Sequence, residues 1–338
     1  GYVKNSNLED IDRVGVCFEI VDKDDKLLTK MSRVPHVGDQ LLTPSGGSYK
    51  VIEVKNYNAV AEFLGKDEGF LQIAEYIDGL KELPAATLDW KDRPIAIYHT
   101  HSDESYLPSD GKISIPFNGG IFQVGSTIRG SLERAGAKAL HDLTPHDPHD
   151  ANAYSRSRKT AVSLIKNTNP VAIFDVHRDG IDDPEFYHRK MADENFTQIR
   201  IVIGRQNPKM EANLEFAKKF MAFANKKHPG IVKEIFMANG NYNQDLMSTA
   251  LLFEAGTYTN YKSEAQKGID FLAGAAPVVL GLGGPEQSVD ESVDSKALVT
   301  AVSLIVLVLV LAVVFIYISV GPDGIREYAR AIREKLKN

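Results

Sequence analysis

The sequence predicts an α/β fold: a mixed sheet with helices on both faces, preceded by a small β unit and followed by a C-terminal transmembrane helix. Three observations carry that prediction. From Pro94 to residue 285, short apolar runs alternate with stretches whose apolar residues recur every three and four positions, the pattern of strands and helices layered around a sheet. Before that region, residues 14–62 hold period-two segments separated by turn residues. After it, residues 297–320 form a 24-residue run without a charge, dominated by Val, Leu and Ile. A bilayer-spanning helix needs about 20 such residues.

Composition narrows the function classes. The chain has 338 residues, 43% apolar and 25% charged, which is ordinary for a folded protein and too long for one typical domain. A net charge of −6 with no basic stripe excludes a nucleic-acid binder. Cys17 is the single cysteine, so neither an intramolecular disulfide nor a cysteine zinc site can form. It reads as a small core residue.

Residues 1–62 are expected to form the small β domain. Val14–Val21 alternates, Lys23–Lys26 is a turn, and Leu27–Leu28 resumes the strand pattern. Further turns at residues 37–40 and 45–48 precede strand patterns at Tyr49–Val54 and Ala59–Phe63. Residues 63–93, punctuated by Pro84 and Pro94, read as a connector. The catalytic region is placed at 94–285.

Within it, Ile95–Tyr98 is too short for a helix and reads as a buried strand. Ile121, Val124, Ile128, Leu132 and Ala135 fall at helical spacing, closed by Gly136. Ala137–Leu140 is a short strand. Residues 141–149 follow as a polar loop, and Tyr154–Ile165 is the next helix. Val171–Val176 is a clear strand, and so is Ile199–Ile203. Met210–His228 is a long amphipathic helix stopped by Pro229 and Gly230. Ala250–Phe253 is another strand, and Lys262–Ala275 is the last helix. Residues 286–296 are polar and acidic and read as a linker.

Orientation of the span at 297–320 follows from its flanks. The tail, 321–338, carries five basic residues against three acidic ones, whereas Glu286, Asp290, Glu291 and Asp294 precede the run against Lys296 alone. Lysine and arginine near a span mark its cytoplasmic side. The tail is therefore expected inside the cell, the rest of the chain outside a single-pass cell membrane, with an export signal upstream of Gly1.

Chemistry concentrates where apolar runs stop. The first run ends in His99 and His101, with Glu104 three positions on. The second ends in His177, followed by Arg178 and Asp179. The last ends in Glu254. Strand ends gather at one edge of a sheet, where open α/β folds bind ligands. His101, Glu104 and His177 make the two-histidine, one-carboxylate set that catalytic zinc accepts while keeping a fourth position open. Glu254 is left over and suits a general base, and Arg178 suits an oxyanion or a substrate carboxylate. His99 competes with His101, but only His101 stands in the His-x-x-Glu spacing. The loop histidines His141, His146 and His149, with Asp142, Asp147 and Asp150, read as solvated surface rather than ligands. Tyr154 to Arg158 reads either as an anion site or as an exposed first helical turn.

Tyr98-His99-Thr100-His101-x-x-Glu104-Ser105-Tyr106, Phe174-Asp175-Val176-His177-Arg178-Asp179, Tyr242-Asn243-Gln244-Asp245-Leu246 and Phe253-Glu254-Ala255-Gly256 together resemble the stage II sporulation protein P family. The resemblance runs from about Pro94 to Leu272. It implies a fold similar to zinc N-acetylmuramoyl-L-alanine amidases and, more distantly, to zinc carboxypeptidases. It implies Zn2+ as cofactor and peptidoglycan as substrate, cleaved between N-acetylmuramic acid and the L-alanine of the stem peptide. Endopeptidase action on cross-links and a partner enzyme that cleaves the glycan strand are also implied. By position, His101 and His177 match the ligands, Glu254 the catalytic carboxylate, and Glu104 the remaining slot of its motif. A C-terminal span and an added β unit depart from the N-terminal anchor usual in the family. Two rival readings are a zinc carboxypeptidase or endopeptidase acting on stem peptides only, and a wall-binding module without catalysis. The intact set of His101, Glu104, His177 and Glu254 argues against the module, which needs no such set.

Overall fold

Alternation in the first segment builds three antiparallel pairings and one parallel one. A computed structural model describes residues 14–79 and 93–281 of the chain. Strands β1 (Phe18–Val21), β2 (Leu27–Met31), β3 (Gln40–Leu42), β4 (Gly47–Lys55) and β5 (Asn58–Lys66) come first, then helix α1 (Glu68–Gly79). The region from Pro94 onward holds β6 (Ile95–Tyr98), α2 (Leu107–Asp110), α3 (Ile121–Arg134), β7 (Ala139–His141), α4 (Ala153–Thr168) and β8 (Ala172–Asp179). It continues with the hairpin β9 (His188–Met191) and β10 (Glu194–Thr197), then β11 (Ile199–Gly204), α5 (Met210–Lys227), β12 (Val232–Ala238), β13 (Ala250–Thr257), α6 (Lys262–Ala273) and α7 (Ala276–Val279).

All strands except the β9–β10 hairpin join one 11-stranded sheet, in the order β2-β1-β5-β4-β3-β12-β11-β13-β8-β6-β7. The sheet is mixed. Strands β7, β6, β8 and β13 run parallel to one another, β11 is antiparallel to β13, and β12 is parallel to β11. Strand β3 then pairs antiparallel with β12, matching Leu42 with Ile235 and Gln40 with Met237. The five N-terminal strands therefore continue the sheet of the region from Pro94 onward, a long-range pairing that no local pattern in the sequence announces.

Period-two burial divides the apolar residues between two faces. On one face Ile97, Phe174, Val176, Ile201 and Phe253 pack with residues of α1, α3, α5 and α6. Phe174 meets Phe220 at 5.8 Å and Phe253 at 5.0 Å between ring centroids, and each such buried ring contributes about 1.5–3 kcal/mol. On the other face Ala96, Tyr98 and Ile173 pack with Ala161 of α4. Val202, Phe236 and Leu252 on that face cluster with Phe18, Ile20 and Met31 of the N-terminal strands. Helices cover both faces, as expected.

Two expected strands run longer than their apolar runs. Strand β8 reaches Asp179 and β13 reaches Thr257, and every residue of both is buried. His177 and Glu254 consequently lie inside strands rather than at their ends. Polar residues persist there because each finds a buried partner. Among the described residues no helix is long and apolar enough to cross a membrane. The expected linker at 286–296, span at 297–320 and tail at 321–338 lie outside the described residues, as do residues 80–92 of the connector.

Candidate metal centre

Strand β6 stops at Tyr98, and residues 99–106 turn across the edge of the sheet. Backbone pairing fixes this turn. Glu104 bridges to Ser114, Ile115 N–H donates to the Asp103 carbonyl at 2.8 Å, and Ile121 N–H donates to the Glu104 carbonyl at 3.0 Å. The start of α3 packs directly on it: a Cβ at Gly119 would stand 2.3 Å from the Glu104 carbonyl oxygen. Only glycine permits that approach.

The turn delivers His101 and Glu104 to His177. One donor atom from each lies within 4.8 Å of the other two, and all three residues are buried. His101 Nδ1 is 3.2 Å and His177 Nδ1 is 3.5 Å from the same oxygen, Glu104 Oε1. Glu104 Oε2 accepts the backbone N–H of Arg178 at 2.9 Å. His99, two residues before His101, points elsewhere because the strand has already ended. Its Nδ1 is 2.8 Å from the Val176 carbonyl and its Nε2 is 2.8 Å from His141 Nε2.

Asp175 stands behind His177, with Oδ1 2.9 Å from Nε2. Thr100 fixes Asp175 in turn, through its backbone N–H at 2.8 Å and its hydroxyl at 2.6 Å. A carboxylate behind a histidine sets the ring's tautomer and orientation for metal ligation. Asp175 was legible in principle, since it sits two positions before His177 and so faces the same side of the strand.

The electrostatics suit a cation. Burial, then the neighbouring His149, pushes His101 down to about 3, so it presents a neutral ring. Burial opposes the charge of Glu104, yet His177 and Arg178 hold its carboxyl well below the usual carboxylate range. Burial likewise opposes a charged His177, but Asp175 and Glu104 hold it well above its ordinary value. A ligating imidazole is neutral, so metal binding at this set would release the extra proton of His177. Two imidazole nitrogens and one carboxylate oxygen, converging and backed by Asp175, fit zinc.

Glu254 lies in register with His177 on the neighbouring strand, and both side chains share a face. Its Oε2 accepts from Arg200 Nη1 at 2.9 Å and from the Tyr187 hydroxyl at 3.3 Å. Arg178, expected to face an oxyanion or a substrate carboxylate, packs against the turn at 101–105. It is 1% exposed, and its guanidinium donates to the carbonyls of Ser105, Asp179 and Ile113 while standing 3.9 Å from Glu104 Oε1. These contacts hold it against the turn that carries Glu104.

The polar loop at 141–149 is less solvated than its composition implies. His146 is buried between the His99 carbonyl, at 2.7 Å, and the Thr160 hydroxyl, at 2.8 Å. His149 stacks on His101 with centroids 3.8 Å apart and meets Asp103 at 3.1 Å. In the motif at residues 242–245, Tyr242 and Asn243 both take left-handed backbone, with φ of 53° and 56°. Asn243 donates to the Tyr154 carbonyl and the Ser157 hydroxyl, both at 3.1 Å. Tyr154, so held, places its ring 5.5 Å from that of His101 and 6.3 Å from that of His177. Arg156 in the first turn of α4 donates to the His146 carbonyl at 2.6 Å and to Asp150 at 2.7 Å, and Arg158 in the second is paired with Asp245 by two contacts of 2.8 and 2.6 Å.

The family model for stage II sporulation protein P matches residues 47–276. A stage II sporulation protein P from Bacillus subtilis (strain 168) is 28% identical over 211 residues, covering 57% of this chain and 52% of that protein. The chain thus spans about half the length of this relative. Among solved structures, an N-acetylmuramoyl-L-alanine amidase from Clostridium difficile 630 aligns at 15% identity, covering 57% of this chain and 95% of that one, with a TM-score of 0.35. The CwlD amidase from Clostridioides difficile, in complex with the GerS lipoprotein, aligns at 12% identity over 56% of this chain and 96% of its own, with a TM-score of 0.37.

Proposed function

Because the chain belongs to the stage II sporulation protein P family, we propose that it is a zinc-dependent peptidoglycan hydrolase cleaving the amide between N-acetylmuramic acid and the L-alanine of the stem peptide. The observation that carries this reading is the buried convergence of His101, Glu104 and His177 beside Glu254. Zinc held by that set supplies Lewis acidity and a lowered pKa for water. Asp175 orients His177, and Arg178 steadies the turn that carries Glu104. Glu254 takes the proton of the attacking water as the new C–O bond forms, and returns it to the leaving amine of L-alanine as the C–N bond breaks.

The reading includes anchorage. A span at 297–320 with the basic tail in the cytoplasm holds the catalytic region against the wall from outside. An enzyme that cleaves the denuded glycan strand is the partner this chemistry invites, since removing stem peptides exposes that strand. Digestion of purified wall fragments by the protein, followed by mass spectrometry, tests the bond. Free stem peptides beginning at L-alanine are expected. Shortened or uncross-linked peptides still attached to glycan replace the amidase reading with a peptidase.

A further inference from the structure

Strand register lays a row of alternating charge across four adjacent strands. Glu234 of β12 pairs with Arg200 of β11, Arg200 pairs with Glu254 of β13, and Glu254 pairs with His177 of β8. Directly paired residues share a face, so the four side chains run side by side toward the metal turn. Arg200 is the centre of this row and is 1% exposed. Its Nη1 donates to Glu254 Oε2 at 2.9 Å and to Asp179 Oδ2 at 2.6 Å, and its Nε donates to Glu234 Oε1 at 2.7 Å. Its Nη2 reaches into the N-terminal strands, to the Thr29 hydroxyl at 3.0 Å and to the Lys30 carbonyl. Thr29 in turn donates to Glu234 at 2.5 Å. Tyr187 closes the group, donating to Asp179 at 2.8 Å and to Glu254 Oε2 at 3.3 Å.

We infer that Arg200 is a positioning residue for Glu254, and that strand β2 acts on the reaction through it. The inference rests on the proposed role of Glu254 as base. One guanidinium has a fixed planar fan of donors, and here that fan is fully defined: two carboxylates on one nitrogen, a third on Nε, and β2 on the last. Rotating the guanidinium to release β2 also moves the nitrogen that holds Glu254 Oε2. Residues 27–31 lie outside the stretch matched by the family model, yet through this contact they set the orientation of a carboxylate beside a metal ligand. A buried ion cluster that merely glues β2 to the sheet makes the same contacts, so the two cases must be separated by coupling, not by loss of activity alone.

The test uses the full chain, wall fragments as substrate, turnover and KM as readouts, and zinc content by elemental analysis. Arg200→Lys keeps a cation but loses the fan. Turnover is expected to fall by about 10- to 100-fold, as expected for a reacting group displaced by up to 1 Å, with KM and zinc content unchanged. Thr29→Val preserves shape, removes the hydroxyl from both Arg200 and Glu234, and is expected to lower turnover by about threefold by the same displacement on a smaller scale. Each change is then repeated in a Glu254→Gln background under enzyme excess. There, both are expected to lose their effect, because the group they position no longer transfers a proton. Equal factors with and without Glu254 overturn the inference and leave Glu254 as base intact. Parental turnover in Glu254→Gln alone overturns the base assignment and the inference together. Should Arg200→Lys fail to fold, Thr29→Val in both backgrounds decides the point, and no effect of Thr29→Val in the parent severs β2 from the reaction.

Discussion

Two buried charge clusters lie side by side on one face of the sheet, and they differ in where their cation comes from. Around Arg200, three carboxylates (Asp179, Glu234 and Glu254) share a guanidinium that belongs to the chain. Burial opposes that charge, yet Tyr187 and the carboxylates hold Arg200 protonated well above its ordinary value. Around His101, Glu104 and His177, the positive charge on the ring is a proton, which a metal ion can replace. A guanidinium cannot be displaced that way. The difference teaches which cluster can host a metal: the one whose cation is exchangeable and whose donor atoms converge, not the one with more carboxylates.

The sharpest way to break this contrast is to remove the converging donors. The double change His101→Ala with His177→Ala is expected to abolish stoichiometric zinc binding and reduce wall hydrolysis to the uncatalysed background. Elemental analysis checks the first and release of soluble wall fragments the second. Zinc surviving at one per chain would move the metal to another set of residues.

Glu254→Gln probes the boundary between the clusters. Glutamine keeps nearly the same shape and can still accept from Arg200, but it cannot take a proton from water. Turnover is expected to fall by about 10²–10⁴-fold, with zinc content at the parental level. Loss of zinc in this variant would make Glu254 a ligand and erase the distinction drawn between the two clusters.

A smaller effect is expected at Asp175, which belongs to neither set of donors but orients one of them. Asp175→Asn should weaken zinc affinity by about 10–100-fold, the usual cost of losing the carboxylate behind a ligating histidine. Competition with a chromophoric chelator measures it. Turnover at saturating zinc should return most of the way to parental, because the chemistry itself uses other groups. An affinity equal to the parent's would mean that Thr100 and Asp175 serve the turn alone.

What the sequence showed of these clusters follows from the range of the interactions involved. His101 and Glu104 were legible because their spacing is local and the apolar strand before them is unambiguous. His177 and Glu254 were legible as polar residues terminating apolar runs, although each strand continues past them once a partner is supplied. The Arg200 cluster left a fainter signal: one arginine inside the apolar strand Ile199–Gly204 and one glutamate inside Val232–Ala238. A charge in such a strand needs a buried partner, but the partner is set by register between strands more than thirty residues apart. The same reason hid the junction of β3 with β12, which converts an expected separate β unit into the far half of the sheet.

The smallest effect, and the cleanest control for the comparison, is expected at His141. In sequence, His99 is the rival of His101 that lacks the His-x-x-Glu spacing, and His141 reads as part of a solvated loop. In the structure they form a chain of hydrogen bonds in which the Val176 carbonyl accepts from His99 Nδ1 and the two Nε2 atoms share one hydrogen, with the Ser126 hydroxyl 3.4 Å from His141 Nδ1. Gly125 leaves room for them, since a Cβ there would lie 2.4 Å from His99 Nε2 and 2.5 Å from His141 Nε2. Burial, then Arg129, pushes His141 down to about 4, and burial, then His141, pushes His99 down to about 3. Both rings are neutral when folded at neutral pH, whereas an unfolded histidine titrates near 6.5. As the pH falls from about 6.5 toward 4, the unfolded chain takes up protons that the folded one refuses, so stability declines through that window. His141→Gln removes one of these sites while its amide can still donate to His99. The decline in melting temperature between pH 6.5 and 4 should become shallower by a few degrees, on the order of 1 kcal/mol after allowing for the partial exposure of His141. Zinc content and turnover at pH 7 should stay within about twofold of the parent, as expected for a change away from the reacting groups. Loss of zinc in His141→Gln would place this pair among the ligands. A pH profile of stability identical to the parent's would mean that His141 titrates in the folded protein much as it does in the unfolded one.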